Sequence, residues 1–269
     1  MTRPFERHGS RSAGREHRRR YTRRDLLRTT ALGGTAALSG FAGIGVASAQ
    51  DGGNGETEFT VEIRNVSSND TLQPPDGERQ PVPLSPGVYA VYRGGDPIFT
   101  AGKQGGARGL EQLAEDGDPT RLERSLDDQQ GVQSDVFDRP EGSDQPGPLE
   151  PGQTYRFDFD AQPGERLSFA TMFVPSNDLF FAPGGIGIPL FRSGNPISGN
   201  VTSQVLLWDA GTERNEQPGT GPNQAPRQSA PNTGPDENAP VQPISRVDDG
   251  FRYPAVADVI RVTVASRNA

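Results

Sequence analysis

Carboxylate, hydroxyl and carbonyl oxygen are the groups that could do chemistry in this chain beyond its first fifty residues. Both histidines, His8 and His17, fall in that first stretch, and there is no cysteine. Thiolate and imidazole zinc sites, thiol nucleophiles, Ser-His-Asp triads, haem ligation and iron–sulfur clusters are thereby excluded. So are disulfides, and stability must come from a core or from a hard metal ion. Oxygen chemistry leaves two options: a Ca²⁺ site, or the paired acids of a glycosidase. Two segments place such oxygens where strands run out into turns. In 172–181 an apolar strand stops at Pro175 and Asp178 follows in the loop. In 207–215 a strand ends at Trp208, and the turn after it carries Asp209 and Glu213 four residues apart. A bare pair of acids at that spacing is also what a helix cap or a solvated turn looks like. Trp208 at the strand end reads as a core anchor rather than a ligand-stacking ring. Gly102-Lys103 does not make a phosphate loop, since the spacing is wrong and no Ser or Thr follows the lysine.

The elements that must position these acids are strands. Phe59, Val61 and Ile63 alternate with Thr60, Glu62 and Arg64, the period-two signature of a half-buried strand. Further strands are predicted at 88–92, 155–159, 167–174, 201–208 and 259–264. One helical patch spans 109–127, with Leu110 and Leu113, then Leu122 and Leu126, at helical spacing; Gly117-Asp118-Pro119 divides it into two short helices. Six or more strands between Gly- and Pro-rich loops predict an all-β fold: an antiparallel β-sandwich in one domain, 57–266, with one short helical insertion. Residues 50–56 form a polar, flexible start. Stretches 133–152 and 216–243 are rich in Pro, Gly, Gln, Asn and acids, and are predicted to be disordered insertions for want of apolar surface.

Residues 1–49 obey different rules: ten arginines, three acids, then an uncharged run 29–49 of small and apolar residues ending Ala47-Ser48-Ala49. This is a signal peptide with cleavage between Ala49 and Gln50. Arg23 and Arg24, in Thr-Arg-Arg-Asp-Leu-Leu just before the apolar run, are the paired arginines of the twin-arginine pathway, which exports folded proteins. A secreted, extracellular protein follows, without a transmembrane anchor after cleavage. Subtracting the leader's ten basic and three acidic residues from totals of 27 and 35 leaves 17 against 32, a net charge of −15, with Lys103 the one lysine. Such dense carboxylates suit a halophilic surface, where salt screens their repulsion. They would repel nucleic acid, so no nucleic-acid partner is expected. Asn65, Asn69 and Asn200 begin N-glycosylation sequons.

The segments FVPSNDLFF (173–181) and LWDAGTERN (207–215), with GARGLEQLAEDGDPTRLERSL (106–126) and the strand FTVEIRNV (59–66), resemble the spondin N-terminal domain of F-spondin and many secreted prokaryotic proteins. The resemblance covers 58–216. It implies a sandwich similar to calcium- and lipid-binding domains, with one Ca²⁺ held between loops at an end of the sheets. By motif position Asp178, Asp209 and Glu213 would supply its carboxylates. Glu213 stands where vertebrate members often carry aspartate, and the family's disulfides are missing. The function implied is a secreted, non-catalytic, calcium-binding interaction or adhesion module whose partner is an extracellular protein or glycan. Two rivals are a hydrolase of extracellular glycan using Asp178 and Asp209, and a metal-free structural component of the cell surface.

Overall fold

The computed structural model describes residues 55–75, 77–105 and 108–267. The leader, with Arg23, Arg24, Ala49 and Gln50, lies outside the described residues, as do the first residues of the segment 50–56.

Two antiparallel sheets face each other. In chain order the long strands are β1 (Thr57–Asn65), β2 (Leu84–Tyr92), β3 (Val132–Phe137), β4 (Thr154–Ala161), β5 (Arg166–Phe173) and β6 (Leu179–Pro183). Four two-residue strands follow, β7 (Ile188–Pro189), β8 (Phe191–Arg192), β9 (Asn195–Pro196) and β10 (Gly199–Asn200), then β11 (Val205–Asp209), β12 (Gln242–Pro243) and β13 (Ile260–Ser266). One sheet has the order β10-β13-β1-β4; the other runs β12-β11-β6-β5-β2-β3, with β7 also against β5. Between the sheets lie Phe59, Val61, Ile63 and Phe157 from the first, and Tyr89, Phe169, Phe181 and Leu207 from the second. Tyr89 stacks on Phe157 with ring centroids 4.4 Å apart. This is the predicted all-β antiparallel sandwich with a short helical insertion.

The two sheets differ in pattern because they differ in what covers them. Strands β1 and β4 alternate buried and wet residues, since the outer face of their sheet meets solvent. Strand β5 is buried almost throughout. Its second face lies under helices α1 (Leu110–Asp116) and α2 (Thr120–Asp127), whose Leu110, Leu113, Leu122 and Leu126 pack with Ala170, Phe180 and Trp208. The break at 117–119 falls where the sequence places it, with Gly117 in the left-handed region closing α1.

Three expectations need correction. Residues 201–204 form a turn rather than the start of a strand, and β11 begins at Val205. The stretch 133–152 is not a disordered insertion: it carries β3, an edge strand paired along β2. Phe137 there stacks on Phe157 at 5.2 Å, and Leu149 is fully buried. The stretch 216–243 also has fixed structure, held by polar groups instead of apolar area. Gln224, with no exposed surface, donates to Gln217 O at 2.9 Å, and its Oε1 accepts from the Gly219 amide at 3.0 Å. Asn223 donates to Glu216 at 2.6 Å through its side chain, and Val241 is buried near the helices. No helix among the described residues is long and apolar enough to cross a membrane.

Candidate metal centre

Strands β6 and β11 run antiparallel with Leu179 opposite Asp209. Asp178, one residue before β6, is therefore delivered beside the end of β11, and the Ala210 amide donates to its carbonyl at 3.2 Å. Both acids are almost wholly buried, at 0% and 1% exposed. The turn after Asp209 is built around these carboxylates. Asp209 Oδ1 accepts the Gly211 amide at 2.6 Å, an Asx turn, and Oδ2 accepts from the Asn215 side chain at 2.7 Å. Gly211 has φ of 67°, and a Cβ there would run into the Ala239 carbonyl, so glycine is required. Asp178 Oδ2 then accepts the Thr212 amide at 2.7 Å, the Thr212 hydroxyl at 3.2 Å and the Glu213 amide at 3.1 Å.

The chain doubles back on this turn. Arg214 N donates to Pro235 O, Glu237 N to Thr212 O, and Ala239 N to Gly211 O, each at 2.8–2.9 Å. That pairing brings in Glu237, which sequence reasoning missed. One carboxylate oxygen from each of Asp178, Asp209 and Glu237 lies within 4.8 Å of the others. Glu237 is exposed while the two aspartates are buried, so the group has one side toward solvent. Asp178 Oδ1 is buried with no hydrogen-bond partner, although Oδ2 of the same carboxylate takes three.

Glu213 corrects the expected ligand set. It supplies its amide to Asp178, while its own carboxylate accepts from Gly234 N at 2.8 Å and from the Asn177 side chain at 3.3 Å. A Cβ on Gly234 would occupy the same space as that carboxylate. Glu213 is thus a buried strut that holds the returning segment, and Glu237 stands in the acid group in its place. The cue in the sequence is the oxygen-rich run Asp236-Glu237-Asn238 between Pro235 and Pro240, inside a stretch that resembles disorder.

Burial pushes the Asp178 carboxyl well above the usual carboxylate range, reinforced by the negative charge of Asp209 and opposed by its three donors. Asp209 is raised chiefly by burial, against its bonds to Asn215 and Gly211, with Asp249 adding to the rise. Glu237 is raised by burial, then by Asp209 and Asp249. Tyr253, whose hydroxyl donates to Asp249 at 2.6 Å, is also raised, by burial, by Asp249 and by the aspartate pair. Asp249 and Tyr253 line a cavity of about 590 Å³ together with Leu206 and Phe251. The site therefore concentrates negative charge where water screens the two aspartates poorly. A cation would relieve that charge, and so would a proton.

The sequons divide. Asn65 is fully buried, donating to Val82 O at 2.9 Å and Leu149 O at 2.7 Å and accepting from Ser67, so it is a structural residue and not a glycan acceptor in the folded domain. Asn69 and Asn200 are exposed. Trp208 is buried, donates to Ala182 O at 3.2 Å and meets Phe99 edge-on at 4.8 Å, as befits a core anchor. No protein-family model and no curated protein matches this chain.

Proposed function

We propose that this chain is a secreted, calcium-binding interaction module without catalysis, of the spondin-like type that its turn motifs resemble. The observation that carries the reading is Asp178 Oδ1. A buried carboxylate oxygen without a partner, on a residue whose carboxylate comes within 4.8 Å of two others, is costly in an empty protein and is what a hard cation would satisfy. The donors fit Ca²⁺, which takes six to eight oxygens at about 2.3–2.6 Å and tolerates mixed geometry from irregular loops. Asp178, Asp209 and Glu237 would hold it. The ion would supply positive charge that locks the 209–215 turn, the returning 235–239 segment and the start of β6 into one rigid loop end. Asn215, Gly211 and Thr212 orient the two aspartates by hydrogen bonds; both Asp209 oxygens accept one and would meet the ion through their remaining lone pairs.

Hydrolysis by Asp178 and Asp209 is less well supported, because Asp178 has no exposed surface through which to meet a glycosidic oxygen. The partner we propose is an extracellular protein or glycan, with export by the twin-arginine leader. The test is thermal melting of chelator-treated protein in high salt with and without Ca²⁺, beside Asp209→Ala. A rise in melting temperature with Ca²⁺ that the variant lacks supports the reading. No calcium-dependent rise, or an equal rise in the variant, defeats it.

A further inference from the structure

On the solvent face of the first sheet, β1 and β13 set Arg64 directly opposite Arg261. Like charges at facing positions of an antiparallel pair repel, and a sheet normally places an acid at one of them. This chain does so elsewhere on the same strand: Glu62, two residues before Arg64, accepts from Arg156 at 3.3 Å, and Glu58 accepts from Arg267 at 2.8 Å. Among the described residues neither Arg64 nor Arg261 has an ion-pair partner, and both are exposed. The third strand across from them offers Thr154, which is neutral.

A cavity of about 320 Å³ lies against the pair, lined by Arg64, Asn65, Val66, Ser67, Gly152 and Arg261, with no acid among them. The Asn65 and Ser67 side chains are spent on each other and on Val82 O and Leu149 O. The side-chain donors left unpartnered among the lining residues are thus the two guanidinium groups, each with five N–H groups. Asp70 and Asp258 line an adjoining cavity of about 560 Å³ that shares Val66 and Arg261 with this one, and Asp70 is paired with Arg79. A domain carrying −15 repels anions at long range, so binding one demands converging donors at a defined place.

We propose that Arg64 and Arg261 form a binding site for a tetrahedral oxyanion of the sulfate or phosphate class, free or as a monoester. Planar forks meet such an anion through paired N–H···O bonds, which a chloride ion cannot reproduce. The cavity exceeds what one small oxyanion fills, leaving room for an ester substituent. The site is independent of the acid group, and its occupancy does not require a metal.

The experiment is thermal melting at constant ionic strength in NaCl, titrating inorganic sulfate, inorganic phosphate or N-acetylglucosamine 6-sulfate against wild type, Arg64→Gln and Arg261→Gln. Sulfate stabilises most proteins without saturating, so the reading is the saturable part. Wild type should show a saturable rise with at least one of the three, and each variant should need about ten- to a hundredfold more ligand. Without ligand each variant should melt no lower than wild type, because the like-charge contact is gone. Saturation by the ester alone assigns the site to an esterified group; saturation by the free ions assigns it to them. No saturable response to any ligand, or equal responses in wild type and variants, overturns the proposal.

Discussion

Replacing Asp178 by Asn removes one buried negative charge while keeping the shape of the side chain. Two unit charges within 4.8 Å repel by roughly 3.5 kcal/mol at an effective dielectric constant of about 20. Proton uptake and the donors around Asp209 relieve part of this, leaving about 2 kcal/mol to be recovered in the metal-free protein at pH 8. The asparagine carbonyl can keep the three donors now on Oδ2, from the Thr212 amide, its hydroxyl and the Glu213 amide, and its NH₂ can donate toward Asp209. For a domain of this size the gain corresponds to a melting temperature about 4–8 °C higher. Trp208, the single tryptophan and the residue before Asp209, reports unfolding by fluorescence. The sign with pH follows from the raised carboxyls of Asp178 and Asp209. The native metal-free protein binds more protons than the unfolded chain above about pH 4, so its stability falls as pH rises through the raised values. The advantage of Asp178→Asn must shrink toward pH 4 and be fullest in alkali. With Ca²⁺ the order reverses, because the wild type gains the ion and the variant does not. A variant that melts below wild type in chelator at pH 8, or that keeps the whole calcium response, would refute this reasoning.

Other outcomes follow from single residues. Glu115 on α1 is buried with Oε2 unpartnered, and burial pushes its carboxyl up to about 7, with Glu213, Glu111 and Asp116 adding to the rise and the Thr212 hydroxyl opposing it. Glu115→Gln should therefore match wild type below pH 4.5 and exceed it by about 2 kcal/mol above pH 7, allowing for solvent screening; denaturant titrations across that range measure the difference. Asn65→Ala should destabilise by roughly 3 kcal/mol, since it strips donors from two buried carbonyls and the acceptor from Ser67; glycopeptide mass spectrometry should find no glycan at Asn65 in the folded wild type. Gly234→Ala should destabilise the 211–239 segment and weaken Ca²⁺ binding, because its new methyl group displaces the Glu213 carboxylate; hydrogen exchange of the Glu237 and Ala239 amides reads this directly.

The strands that show in the sequence are those whose burial is regular. Phe59, Val61 and Ile63 alternate because one face of β1 is wet, and β5 is mostly apolar, with Ser168 and Thr171 buried among its apolar residues, because both its faces are covered. Strand β3 escapes notice because an edge strand can carry Gln133, Ser134 and Asp135, with Phe137 alone deeply buried. Ordering of 216–243 is invisible to hydropathy, since Gln224, Asn223 and Glu216 do by hydrogen bonding what apolar residues do elsewhere. At the site, Asp178 and Asp209 are legible as acids at strand ends, and the β6 to β11 pairing unites them. The third acid is decided by which strand the returning loop lies against, a long-range pairing that local spacing does not encode. Spacing favours Glu213 over Glu237, but the backbone turn spends the former on Asn177 and Gly234.

Anomalous diffraction from crystals soaked in Ca²⁺ tests the central claim most directly. One peak should appear within bonding distance of Asp178 Oδ1 and of carboxylate oxygens from Asp209 and Glu237. An empty site at saturating Ca²⁺, or an ion bound elsewhere with Asp178 Oδ1 still unpartnered, would contradict it.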